Sequence, residues 1–239
     1  MVTMPDQVPL SDAPRYALPG KEAIAEANLY LSSRFSISSS IRYCRNAARG
    51  ILSAAGERDA KLIVLNWNDL KRRRGFIFGS TIDPVLERAR FDILVFRNLE
   101  KPAFRRVLVP LSGGHNSSLA LEMAGLMVDK KEGRILCLHV RQPGKAQLDL
   151  SEYLETLCSQ SSVSRDRIEA KVVVSSNPSK TILQRTSECD LVVIGASRDA
   201  YWRRAVMGTI PEKVARGCTK PLIMVKAKGT IRALLARWL

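Results

Sequence analysis

The chain has 239 residues, 46% of them hydrophobic and 26% charged, which is enough apolar material for one large domain or two ordinary ones and excludes global disorder. Aromatics make up only 6%, so small aliphatics dominate, as suits parallel strands covered by helices on both faces. With 38 Lys and Arg against 23 Asp and Glu, the net charge of +15 favours either an anionic partner or an exposed basic face.

In chain order, Met1–Gly20 carries four prolines and no strand-helix-strand pattern, so an extended segment is expected there. Lys21–Leu31 and Ile41–Ala55 are predicted helices, the second capped by Ser38, Ser39 and Ser40. Leu62–Leu65 is a predicted strand, Thr81–Ala89 a helix and Ile93–Phe96 a strand, after which Glu100-Lys101-Pro102 interrupts the pattern. Beyond it, short aliphatic strands are predicted at Val107–Leu111, Ile135–Val140, Ile168–Val174, Leu191–Ile194 and Leu222–Val225. Helices fall between them: one capped by Asn116 and running through Asp129, one from Leu148 to Ser159, one opened by Pro178, and one from about Gly208 to Gly217. This alternation implies a mostly parallel sheet with right-handed crossovers.

Leu62–Arg97 aligns with Leu191–Lys226 without a gap, bringing Val64 opposite Val193, Gly79 opposite Gly208 and Ser80 opposite Thr209. The chain is therefore an internal repeat. The expected fold class is α/β, two tandem units with mostly parallel sheets flanked by helices. The first unit is truncated, lacking the first strand, first helix and second strand of the second. The expected segments are 1–20 (extended), 21–99 (truncated unit), 104–227 (complete unit) and 228–239. In the last, Ile231, Leu234, Leu235, Trp238 and Leu239 would form the apolar side of an amphipathic helix. A three-strand remnant leaves edges for the second copy, a homodimer mate or an upstream segment to cover.

Cys44, Cys137, Cys158, Cys189 and Cys218 are odd in number and contain no C-x-x-C pair, which speaks against a disulfide framework or a zinc site and for a reducing cytoplasm. No apolar run approaches the roughly 18 residues of a membrane span, and the N-terminus lacks the pattern of a signal peptide. The expected location is cytoplasmic, with attachment at the inner face of a membrane left open.

The stretch with chemical content is Ile194-Gly195-Ala196-Ser197-Arg198, followed nine residues later by Gly208-Thr209 at a helix start. A glycine after a strand lets backbone approach a ligand, and a Gly-Thr helix start offers N–H groups to phosphate. A second glycine turn, Pro110-Leu111-Ser112-Gly113-Gly114, follows an earlier strand, and in a parallel sheet the two turns meet at the carboxyl edge.

On these residues the second copy resembles the universal stress protein family over nearly its whole length. Gly195, Arg198, Gly208 and Thr209 reproduce that family's Gly-x2-Gly-x9-Gly-[Ser/Thr] spacing, with Arg at the second place. Val107–Gly114 is similar to its opening strand and turn, and Leu138-His139-Val140 to its second strand. The resemblance implies ATP or another adenine nucleotide as the candidate cofactor. It would be held by Pro110, Leu111, Ser112, Gly113, Val140, Gly195, Ser197, Arg198, Gly208, Thr209 and Ile210. Two departures matter: Ser112 stands where nucleotide-binding members carry Asp, and Arg198 where glycine makes room. Arg198 would either meet a phosphate or close the pocket. In the first copy the matching positions are Asn66, Asp69, Gly79 and Ser80. Both leading glycines are gone and an acid is present, so no binding is expected there.

His139 at a strand end reads as structural, and His115 in a turn has no partner at recognisable spacing. No metal-ligand or catalytic constellation stands out, so the protein is not expected to be an enzyme. Lys71-Arg72-Arg73-Arg74 and Arg203-Arg204 occupy corresponding loops, as solvated basic loops or as an anionic docking face. Nucleic acid is disfavoured as a partner because charge alone supports it. The first copy, from Gly50 through Trp67 and Phe78 to Leu86, resembles the tandem region that follows the membrane part of some amino-acid permeases and cation transporters. Two classes of function stay open. One is a non-enzymatic regulatory module associated with or derived from a membrane transporter, with a degenerate nucleotide site. The other is a free-standing ATP-binding stress protein. A homodimer, a transporter and an anionic membrane surface are the candidate partners.

Overall fold

The computed structural model describes residues 1–31, 33, 35–67, 78–98, 103–144, 148–196 and 209–228. The first copy contributes β1 (Val2–Thr3), α1 (Leu18–Leu31), β2 (Tyr43–Cys44), α2 (Ala47–Glu57), β3 (Leu62–Asn66), α3 (Ile82–Arg88) and β4 (Asp92–Arg97). The second contributes β5 (Arg106–Leu111), α4 (Ser117–Met127), β6 (Arg134–Arg141), α5 (Leu150–Ser159), β7 (Ile168–Val174), α6 (Pro178–Arg185), β8 (Leu191–Gly195), α7 (Ile210–Gly217) and β9 (Leu222–Lys226).

Compactness does not follow the repeat boundary predicted near 98–104. One compact unit is Met1–Ala60 with Ser80–Arg88, and the other is Lys61–Gly79 with Ala89–Leu239. Strands β3 and β4, though part of the first copy, are thus grouped with the second, because they are paired into its sheet.

That sheet has seven strands in the order β3-β4-β9-β8-β5-β6-β7. Every pairing is parallel except β4 with β9. The antiparallel register obeys the repeat: Ile93 faces Lys226, and its sequence equivalent Leu222 faces Arg97, the equivalent of Lys226. Val95 faces its own equivalent, Met224. The last strands of the two copies therefore meet about a local twofold.

Alternate residues fill both faces. Val107, Val109, Ile135, Cys137, Leu191, Val193, Ile223 and Val225 form one core with Ala120, Leu121 and Ala124 of α4 and Leu150, Leu154 and Leu157 of α5. On the other face Leu108, Leu136, Leu138, Val192, Leu222 and Met224 are equally buried. This accounts for strands that read as continuous aliphatic runs rather than alternating ones. Local signals set the helix starts. Asp149 accepts N–H bonds from Ser151 and Glu152 at 3.0 and 3.2 Å, and Asn177 accepts from Lys180 at 3.1 Å.

The first unit corrects two expectations. Residues 1–20 are not simply extended. Val2–Thr3 pairs parallel with Tyr43–Cys44, a 3-10 segment follows at Leu10–Tyr16, and α1 begins at Leu18. In register, Val2 and Thr3 stand to Tyr43 and Cys44 as His139 and Val140 stand to Val172 and Val173, so a trace of the second strand is present after all. The predicted helix Ile41–Ala55 forms only as Ala47–Glu57, because Tyr43–Cys44 is held in strand pairing. Its cap is Asn46, which accepts from Arg49 N–H at 2.9 Å, and not the Ser38–Ser40 run. The predicted tail helix at 228–239 falls, apart from Lys228, outside the described residues.

In the same unit, Arg42 forks onto Glu57 with 2.9 and 2.6 Å bonds, and Ser53 donates to the same carboxylate at 2.9 Å. These bonds, the arginine's first, pull the Glu57 carboxyl from its ordinary 4.5 down to about 2. A carboxyl depressed on folding stabilises the fold fully above its unfolded value and loses that contribution as pH falls through the folded one. NMR titration should therefore find Glu57 ionised until about pH 2, and Glu57→Gln should remove one acid-labile contribution in the window from 4.5 down to 2. A Glu57 midpoint at its ordinary value would refute the pairing.

Candidate functional site

The β5–β8 ladder pairs Val107 with Leu191 and Leu108 with Val192, and the strands then part before their carboxyl ends. The chain runs from β5 to β6 on one side and returns through β7 to β8 on the other, so the split lies at the switch point where parallel sheets open a crevice. A cavity of about 650 Å³ occupies it, lined by the ends of β5, β6 and β8 and the starts of α4, α6 and α7.

Of the residues singled out from the sequence, Pro110, Leu111, Ser112, Val140, Gly195, Thr209 and Ile210 line this cavity. Gly113 is not among the lining residues. It adopts φ +76°, the left-handed conformation that turns the chain from β5 toward α4. Ser197, Arg198 and Gly208 lie outside the described residues, as do the basic positions 71–74 and 203–204 and Asp69.

Asn116 is the residue whose role the sequence did not show. It stands at the N-cap position of α4, but its side chain makes no cap bond. Its Nδ2 donates instead to Ala196 O at 2.6 Å, while Oδ1 accepts from Ala227 N–H at 2.8 Å. The buried amide thus ties the start of α4 to the ends of β8 and β9. It also gives Gly195 its reason: a Cβ there would lie 2.8 Å from Asn116 Cβ. The close neighbour that requires glycine is this side chain, where the spacing alone suggested a ligand.

The start of α7 also departs from expectation. Thr209 N–H donates to Glu212 Oε2 at 2.9 Å, and Pro211 has no N–H, so two of the first-turn donors expected to face phosphate are committed or absent. His139 is buried on β6 and its Nδ1 bonds to Leu111 O at 2.9 Å, stitching β6 to β5 beside the cavity. Its Nε2 is a buried atom with no hydrogen-bond partner among the described residues. His115 bonds through Nε2 to Lys228 O at 3.0 Å. Desolvation pushes the Cys137 thiol up to about 12 and the Cys189 thiol up to about 11, so neither supplies a thiolate nucleophile near neutrality.

Leu138, Val140, Ile182 and Ile194 give the cavity apolar lining, and Ser112, His115 and Thr209 give it polar lining. Apolar walls with a few polar groups among them are the usual make-up of a small-molecule cavity. Among the described residues no group of His, Cys, Asp and Glu could hold a metal ion, and no helix is long and apolar enough to cross a membrane.

A mostly parallel α/β sheet with a crevice at its switch point, in a chain whose sequence repeats, defines the class of protein. The sequence profile of the universal stress protein family, Usp, matches residues 3–97 and again 103–226. The chain belongs to the universal stress protein family. It is 27% identical over 191 residues to the Na(+)/H(+) antiporter NhaS5 of Synechocystis sp., a match covering 77% of this chain and 27% of the antiporter. It is 23% identical over 193 residues to a universal stress protein of Mycobacterium tuberculosis, covering 72% of this chain and 64% of that protein. The chain thus spans about a quarter of one relative and somewhat less than two thirds of the other. Its fold is that of a universal stress protein from Archaeoglobus fulgidus, with a TM-score of 0.71 at 17% identity over 97% of this chain and 85% of that one.

Proposed function

We propose that this protein is a non-enzymatic regulatory module that works by contact with a membrane transporter, its carboxyl-edge cavity being a degenerate adenine-nucleotide site. The observation that carries the reading is the NhaS5 match. It extends over 191 residues, more than either copy alone, in a protein named for cation transport. The cavity walls suit an adenine ring and its ribose. Ser112 replaces the acid that contacts the nucleotide in binding members, and the phosphate end is weakened by Arg198 in place of glycine and by the committed donors at the start of α7. The basic loops at 71–74 and 203–204 would add salt-sensitive attraction to an anionic membrane face, and a homodimer is compatible with that arrangement. The mycobacterial relative favours the second reading, a free-standing nucleotide-binding stress protein.

Calorimetry with ATP separates the two. The unmodified chain should bind ATP weakly or not at all, and Ser112→Asp combined with Arg198→Gly should strengthen binding by about tenfold, roughly 1.4 kcal/mol. Tight binding by the unmodified chain that the double change weakens would make Arg198 a phosphate ligand and favour the free-standing reading. ATP turnover that depends on Ser112 would defeat the non-enzyme reading.

A further inference from the structure

Strand β3 reads Leu-Ile-Val-Leu-Asn, the apolar run of a strand buried at the centre of a sheet, yet it is the terminal strand of its sheet. The repeat shows what such a strand has beside it. Its equivalent β8 lies between β9 and β5. On one face its residues Leu191 and Val193 are 0% exposed, packed in a common core with Ala120, Leu121 and Ala124 of α4. The matching residues of β3, Leu62 and Val64, are 40% and 54% exposed. On its inner side β3 pairs with β4 as β8 pairs with β9. Among the described residues no strand pairs with its outer side.

We infer that the outer edge of β3 is a docking site for a partner that presents an apolar strand parallel to β3, followed by an amphipathic helix. Two needs coincide at this edge. The backbone requires a strand, and the face bearing Leu62 and Val64 requires an apolar cover above it. A strand alone meets only the first, and a helix alone only the second. The segment Arg106–Met127 meets both for β8, pairing Val107 with Leu191 and Leu108 with Val192. In the same register the incoming strand would set two aliphatic residues opposite Leu62 and Ile63. Main-chain bonds would supply affinity and the helix's apolar side specificity, as in other cases of strand addition. The inference is independent of whether the cavity takes a nucleotide.

The test uses the full chain and a soluble synthetic peptide of residues 103–129 as the probe. Amide hydrogen exchange at Leu62–Leu65 should slow by about tenfold or more when the peptide is added. Val64→Asp, which would put a charge under the incoming helix, should weaken peptide binding by about tenfold or more, and Val64→Thr should weaken it less. Circular dichroism confirms that each variant is folded, and the threonine variant decides the matter if the aspartate one is not. A peptide carrying Asp at the position of Val109 should not protect the strand. Unchanged exchange with the peptide, or equal binding by the Val64 variants, overturns the proposal. So does protection of β3 that exists without the peptide and is lost on dilution, which would assign the edge to a second copy of the chain.

Discussion

Replacing Arg97 with Ala should cost about 3–5 kcal/mol in a urea titration, the largest loss expected from a single exposed-type side chain in this protein. Arg97 ends β4 in the first copy and is 5% exposed. Its Nη1 donates to Ala215 O at 3.0 Å and its Nη2 to Cys218 O, both at the end of α7 in the second copy. The guanidinium also lies 4.6 Å from the centre of the Trp67 ring, which meets Phe78 edge-on at 4.9 Å. A cation at a helix C-terminus complements the carbonyls left over there, and burial removes the screening that makes surface pairs weak. Alanine would orphan two carbonyls, remove the cation–π contact and leave a cavity. Lysine keeps the charge but not the planar fork, so Arg97→Lys should lose roughly half as much. Both losses should be nearly independent of salt. A cost under about 1 kcal/mol for the alanine variant would show that the pairing of β4 with β9 stands without this clamp.

Asn116→Ala should be next, at about 2–4 kcal/mol, because a buried carbonyl and a half-buried N–H lose their partners together. Ala196 O and Ala227 N–H lie at the ends of neighbouring strands, and the single amide serves both. Asn116→Asp should be no milder. A carboxylate can accept from Ala227, but it turns an oxygen toward the Ala196 carbonyl where a donor is needed. The distinguishing readout is local: exchange of the Ala227 amide should accelerate in both variants more than exchange in α5. Stability and Ala227 exchange both unchanged would mean that water replaces the amide without loss.

Much of the fold was legible because the signals are local. Short aliphatic runs bounded by Gly, Pro and polar residues give β3 through β9. Pro178 marks a helix start for steric reasons that need no tertiary context. The gapless match of Leu62–Arg97 with Leu191–Lys226 revealed the repeat, since residue spacing survives in the chain whatever it packs against. The weakest predictions were near the N-terminus. There β1 and β2 have two residues each and exist only through their mutual pairing, so propensity alone extended the helix back to Ile41.

The site was legible as a place and not as a set of roles. Spacing located the glycine turns, and most of the predicted residues line the cavity. Yet Asn116 looked like a helix cap, because a side chain that leaves its own helix for strands far along the chain leaves no local trace. Gly195 looked like room for a ligand for the same reason. By itself the sequence determined the strands, their alternation with helices, the tandem repeat and the family. Only the tertiary structure decided that β4 runs antiparallel against β9, that Arg97 clamps a helix of the other copy, and which of the first copy's strands stands at the end of the sheet. Those outcomes depend on which strands become neighbours, and neighbourhood is set by long-range pairing and burial that no single segment encodes.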